Sequence, residues 1–154
     1  MLRYLRRLVA TAWVGSLWAI GYIAAPTLFM TLADRPLAGT IAGSLFRTEA
    51  WLSLACAAVL AVLTVLTMRV QFIPFTISQT QHRKQLWLIA VMALCTLVGY
   101  FGLQPFMAAI RVTAAAAGGM SGDARMQFGM LHGLASGIYL GQSVLGGWLL
   151  LKLD

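Results

Sequence analysis

Four apolar runs, each near the length that crosses a bilayer, constrain this chain more than any other feature. They cover about residues 8–29, 50–68, 86–103 and 131–151. A hydrocarbon core roughly 30 Å thick is spanned by about 20 apolar residues in an α-helix. In lipid, every backbone polar group must find its partner within the protein, so only helices and closed barrels cross. The roughly ten-residue alternating segments of a membrane barrel are not seen. Nothing remains in the 154 residues for a soluble domain. The expected fold is all-α: an integral membrane four-helix bundle forming one domain over residues 1–154. Only 10% of the residues are charged, against about 25% in soluble domains. The basic, apolar start is like a signal peptide. Its apolar stretch exceeds the 7–15 residues or so of such a segment, so it is read as an uncleaved first span.

The charges orient the spans. Both termini and the loop between the second and third spans lie on one side, with Arg3, Arg6, Arg7, Arg69, Arg83, Lys84 and Lys152. The other side carries Arg35, Arg47, Arg111 and Arg125. Basic residues collect on the cytoplasmic side of membrane proteins, so both termini are expected to be cytoplasmic. The net charge of +7 is then a topology signal with a weak pull toward anionic membrane lipid. No nucleic-acid partner is expected. Cys56 and Cys95 fall inside spans and read as small apolar residues.

The second and third helices look longer than the membrane and are expected to extend beyond the outer leaflet. Asp34 is a plausible N-cap, and Pro36 falls in the first turn, where proline is tolerated. The second helix is expected over about 36–68, near 50 Å long at 1.5 Å per residue. The third is expected to run past Pro105, a source of a kink, to Gly118-Gly119, a helix terminator. Ser121 or Asp123 is expected to cap the fourth. Phe72, Ile73 and Phe75 in the intervening loop are expected at the inner interface.

The fourth run holds the oddest pattern, "FGMLHGLASGIYLGQS". Gly129, Gly133, Gly137 and Gly141 recur every fourth residue, and small residues at that spacing let membrane helices approach closely. Gly39 with Gly43, and Gly15 with Ala19, are shorter versions. Beside the glycines runs a polar row of His132, Ser136, Tyr139 and Ser143. When the basic residues at the inner ends serve as floor markers, about twenty residues upward leads to Thr27, Glu49, Gln104 and His132. The count therefore brings the polar groups to one expected level, near the outer edge of the hydrocarbon. A ligand site of His132, Glu49, Arg47 and Gln104 is expected there, since ionisable groups in membranes face the bundle interior or a wet cavity. Met126 and Met130 join His132 as candidate metal ligands, because thioethers with an imidazole suit Cu(I). Packing alone is the competing explanation for each of these residues.

No nucleotide loop or nucleophile elbow is present. His82 and His132 lie on opposite membrane sides, so one chain cannot hold a haem between them. "GYIAAPTLFMTLADRPLAGTIAGSLF" (21–46) with "FGMLHGLASGIYL" (128–140) resembles the bacterial membrane family of unknown function 4149, related to eukaryotic transmembrane protein 205. The resemblance carries Ala25-Pro26, Leu28-Phe29, Ala38-Gly39, Gly43, Leu45-Phe46 and Leu131-His132-Gly133, and it implies a bacterial inner-membrane location. It extends distantly to copper-resistance-D-like proteins, which implies copper or haem as cofactor. Only His132 is placed to carry that role over. The expected function is a small inner-membrane protein with a polar ligand site, binding or passing a soft metal ion such as Cu(I), and not an enzyme. The alternatives are a structural or assembly partner that uses the glycine ridge, as a homo-oligomer or within a larger membrane complex, and a haem-linked redox protein.

Overall fold

The computed structural model describes residues 1–70 and 77–153. The loop positions Phe72, Ile73 and Phe75 lie outside the described residues. Four helices are long and apolar enough to cross a membrane: Leu2–Thr31, Arg35–Arg69, Thr80–Ala116 and Gly122–Leu151. The first contains α1 (Leu2–Trp18), a π-helical stretch (Ala19–Ala24) and α2 (Ala25–Thr31). The second is α3 (Arg35–Val70). The third contains α4 (Ile77–Thr96), a second π-helical stretch (Leu97–Leu103) and α5 (Gln104–Ala116). The fourth is α6 (Gly122–Leu151).

The helix ends follow local chemistry. Asp34 Oδ1 accepts the Leu37 N–H at 3.1 Å, and Ser121 Oγ accepts the Ala124 N–H at 3.2 Å. Each satisfies one of the orphan donors of a first turn. The α5 end is a Schellman turn. Gly118 has φ +73°, the Gly119 N–H reaches the Ala114 carbonyl at 2.9 Å, and the Gly118 N–H reaches that of Ala115 at 3.3 Å.

Both chain ends lie at one end of the bundle. Arg6 Nη2 donates to Gln85 Oε1, and Gln85 Nε2 donates to the Lys152 carbonyl at the close of α6. Just inside that end sits the core, with Ala10, Trp13 and Leu17 of α1, Cys56, Ala57 and Leu60 of α3, Ile89 and Met92 of α4, then Leu149 and Leu153. Gly146 makes the close approach possible. A Cβ there would stand 3.0 Å from Val14 and 3.3 Å from Met92. The outer faces carry exposed Trp51, Val62, Leu94, Val112, Leu134 and Val144. Such apolar surface suits lipid tails, which are as apolar as leucine.

Candidate functional site

Tyr139 is the central polar residue of the bundle. Its hydroxyl donates to the Leu17 carbonyl at 2.7 Å, and the Gly21 N–H faces the same oxygen. These two backbone groups are four residues apart and would bond each other in an uninterrupted α-helix. Insertion of a side chain into the ladder is a known cause of local helix distortion. Here the π-helical stretch Ala19–Ala24 lies around the insertion. Gly21 is required: a Cβ there would overlap the Tyr139 ring. Tyr22 and Phe46 meet that ring edge-on, at 6.4 and 5.5 Å between centroids.

Each π-helical stretch ends shortly before a proline. Pro26 follows the first and Pro105 the second, each at the start of the next α-helix. A proline within a helix lacks the N–H for the carbonyl four residues back. The kink expected at Pro105 is thus a change of helical pitch, and Pro26 shows the same device.

Beneath Tyr139 runs a buried relay. Trp13 Nε1 donates to Ser53 Oγ at 2.7 Å, and Ser53 Oγ donates to Glu49 Oε1 at 2.6 Å. Glu49 is 4% exposed. A buried carboxyl is costly unless hydrogen-bonded or paired. Among the described residues no cation forms an ion pair with it, so the Ser53 hydroxyl is its hydrogen-bond support. Gln142 Nε2 donates to Thr96 Oγ1 at 2.9 Å, linking α6 to α4. The buried Ser143 hydroxyl has no partner among the described residues.

Of the residues expected to share one level, Glu49 lies deeper than His132 and Gln104. Glu49 belongs with Trp13 and Phe46, around Tyr139. His132 lies seven residues from Tyr139 along α6, roughly 10 Å. It is exposed, its ring stacked on Phe128 at 5.9 Å. Arg47 is exposed on α3. Gln104 is half-buried at the far end beside Arg111, which the sequence did not single out. Arg111 Nη1 donates to the Gly39 carbonyl at 3.0 Å. A Cβ at Gly43 would stand 3.8 Å from Gln104 Nε2, so both side chains lie over the Gly39–Gly43 face. The depth count misplaced Glu49 because its floor markers are not level. Ser53 contacts Trp13, yet Ser53 is sixteen residues from Arg69 while Trp13 is only six from Arg7. Arg69 therefore lies roughly 15 Å further along the bundle axis than Arg7.

The two rows of the fourth run also part. Tyr139, Gln142, Ser143, Gly146 and Leu149 face the bundle. At 100° per residue, Gly129, Gly133, Gly137 and Gly141 fall on the opposite side, and all four are exposed. A Cβ at any of them would meet nothing within 4 Å. Within one chain the small residues that bring helices together are Gly146 and Gly21 instead. Met126 and Met130 are each 61% exposed. They leave α6 on a different side from His132, since positions two apart on a helix do not face each other. Among the described residues no three His, Cys, Asp or Glu side chains gather as a metal-binding group.

A second polar node closes the end that holds the termini. Arg6 and His82 share Gln85 Oε1, the latter at 3.3 Å. Arg6 is 4% exposed, with an Nε that has no partner among the described residues. Pairs so far apart in sequence leave no periodic signal.

Among protein-family models, residues 8–116 match the Domain of unknown function DUF4149. The match covers the first three spans, and α6 follows it. No curated protein and no solved structure matches the chain.

Proposed function

The chain belongs to the DUF4149 family, and on that premise we propose that this multi-pass membrane protein is an assembly element whose outward α6 face seats the α6 helix of a second copy. The observation that carries this reading is the empty space above Gly129, Gly133, Gly137 and Gly141, on the side of α6 turned from its own bundle. Leu140 and Val144 stand exposed along the same side at 57% and 65%, as walls of the groove. Ser136 flanks it, and polar side chains in a membrane gain from hydrogen bonds across helices. Two copies inserted with the same orientation present α6 in parallel. Glycines every fourth residue suit a close parallel crossing of right-handed sense. We place both termini in the cytoplasm, on the seven basic residues at that end.

The ligand-site reading draws less support. It loses His132 and Arg47 to the outer surface and keeps Glu49 and Gln104 on separate levels. A soft-metal site from His132, Met126 and Met130 does not fit one helix, and a haem would have to draw its second axial ligand from elsewhere. The test is oligomeric state in lipid nanodiscs or mild detergent. The wild type is expected to be a dimer, and Gly133→Leu with Gly137→Leu a folded monomer. A wild-type monomer at high protein-to-detergent ratio would remove the proposal.

A further inference from the structure

Glu49 is the chain's one glutamate, and it is buried inside the second span. Its Oε1 accepts the Ser53 hydroxyl proton, and Ser53 Oγ accepts the Trp13 N–H in turn. The charged groups of the surrounding helices lie elsewhere. On α1, Arg6 is seven residues below Trp13 and bonded to Gln85. On α3 itself, Arg47 is exposed. On α4, His82, Arg83 and Lys84 stand near the start, at the end that holds the termini. On α5, Arg111 reaches the Gly39 carbonyl, ten residues from Glu49 along α3, or roughly 15 Å. On α6, His132 is exposed. The titratable groups in electrostatic reach of Glu49 are Tyr139 and Cys56. The half-buried Cys95 is the thiol of α4. Phenols and thiols are ordinarily neutral near pH 7. An ionised carboxyl in this setting would be a membrane charge without a counter-charge, which is costly. The acid form fits the same space and needs none.

We propose that Glu49 binds a proton within the membrane and exchanges it with the far end of the bundle alone. Oε1 is the carbonyl oxygen of the acid, and the proton sits on Oε2. Uptake moves a proton from hydronium to Oε2 and leaves water, and release reverses the transfer. The route toward the termini is closed by chemistry. Ser53 has only Trp13 behind it, and an indole N–H is a donor with no acceptor capacity, so no proton is handed to Ser53 from that side. Below lie Ala10, Leu60 and Leu149, all at 0% exposure. The other direction is less tightly filled. Ala42 and Gly43 follow Glu49 toward the far end, and the half-buried side chains of Gln104 and Arg111 lie over Gly43. A carboxyl open to one side alone loads and unloads a proton without passing it across the membrane. This site is separate from the glycine face and stands whether or not α6 pairs.

The test uses the full chain, made by cell-free synthesis with glutamate labelled at its side-chain carboxyl with carbon-13, in proteoliposomes. With one glutamate in the chain, the labelled infrared carboxyl signal belongs to Glu49. At about pH 7 it is expected to be that of a carboxylic acid. Ser53→Ala should keep the acid band and move it to higher frequency, because the acid carbonyl loses its hydrogen bond. The signal is then followed in proteoliposomes of opposite, protease-checked orientation after the outside is made alkaline. The acid band should fall when the far end faces out and hold when the termini face out. A carboxylate band at neutral pH would overturn the proposal. So would an acid band unmoved by Ser53→Ala, or one that falls equally in both orientations or only with the termini outside.

Discussion

The two ends of the bundle are built differently. Near the termini, large apolar side chains from all four spans meet. Trp13, Leu17, Leu60, Met92 and Leu149 are all fully buried, and the helices there are regular. Toward the far end the buried apolar residues are mostly small: Ala25, Ala38, Ala42 and Ala50, with Met107. Here the two spanning helices with an interior proline, Pro26 and Pro105, change pitch, and long polar side chains bridge the gaps, such as Arg111 to Gly39 and Tyr139 to Leu17. π-helical insertions frequently mark functional sites. The contrast teaches that one membrane bundle can combine a dry core at one end with polar, backbone-directed links at the other.

Substitutions break this comparison in graded fashion. Leu60→Ala, in the dry core, is expected to cost about 3 kcal/mol, read from denaturant unfolding in micelles. Met107→Ala should cost clearly less, and an equal loss would erase the distinction between the ends. Gly21→Ala comes next, at about 2 kcal/mol, because the added methyl displaces the Tyr139 ring. Tyr139→Phe keeps the ring and loses only the inserted hydroxyl, at about 1 kcal/mol. It should also slow backbone deuterium exchange over residues 19–24, as the Leu17–Gly21 bond closes. Unchanged exchange would show that the π stretch is imposed by Pro26 alone. Glu49→Gln keeps an acceptor for Ser53 and is expected to cost under about 1 kcal/mol, whereas Glu49→Leu leaves the Ser53 hydroxyl proton without its acceptor and costs more. Smallest of all, Gly137→Ala should leave unfolding of the monomer nearly unchanged.

Much of the scaffold was legible in the sequence. The four spans, the Asp34 and Ser121 caps and the Gly118-Gly119 stop all follow from local chemistry. The direction each helix faces was not legible. A soluble helix declares its buried side by apolarity, but here the lipid side is apolar as well, so the glycine row of α6 looked equally suited to the bundle and to the outside. The polar row does keep one face, since His132 and Tyr139 are seven residues and about 20° apart, but Tyr139 packs against the core while His132, further toward the far end, is exposed. Tyr139 and Gly21 lie far apart in the chain, and a glycine chosen to admit a ring resembles any other glycine. Glu49 fell below its expected level for a different reason: terminal charges mark where each helix ends, not a common depth.

The central claim is that α6 uses one face for its own bundle and the opposite face for a second copy. Disulfide crosslinking in native membranes tests it most directly, with Cys56 and Cys95 replaced by serine or alanine. Single cysteines at Gly137 and Leu140 stand on the outward face, and one at Ala135 stands on the bundle side. The account predicts rapid dimer formation on oxidation at positions 137 and 140, and none at 135. Absence of crosslinks on the outward face, or equal crosslinking on both faces, would contradict it.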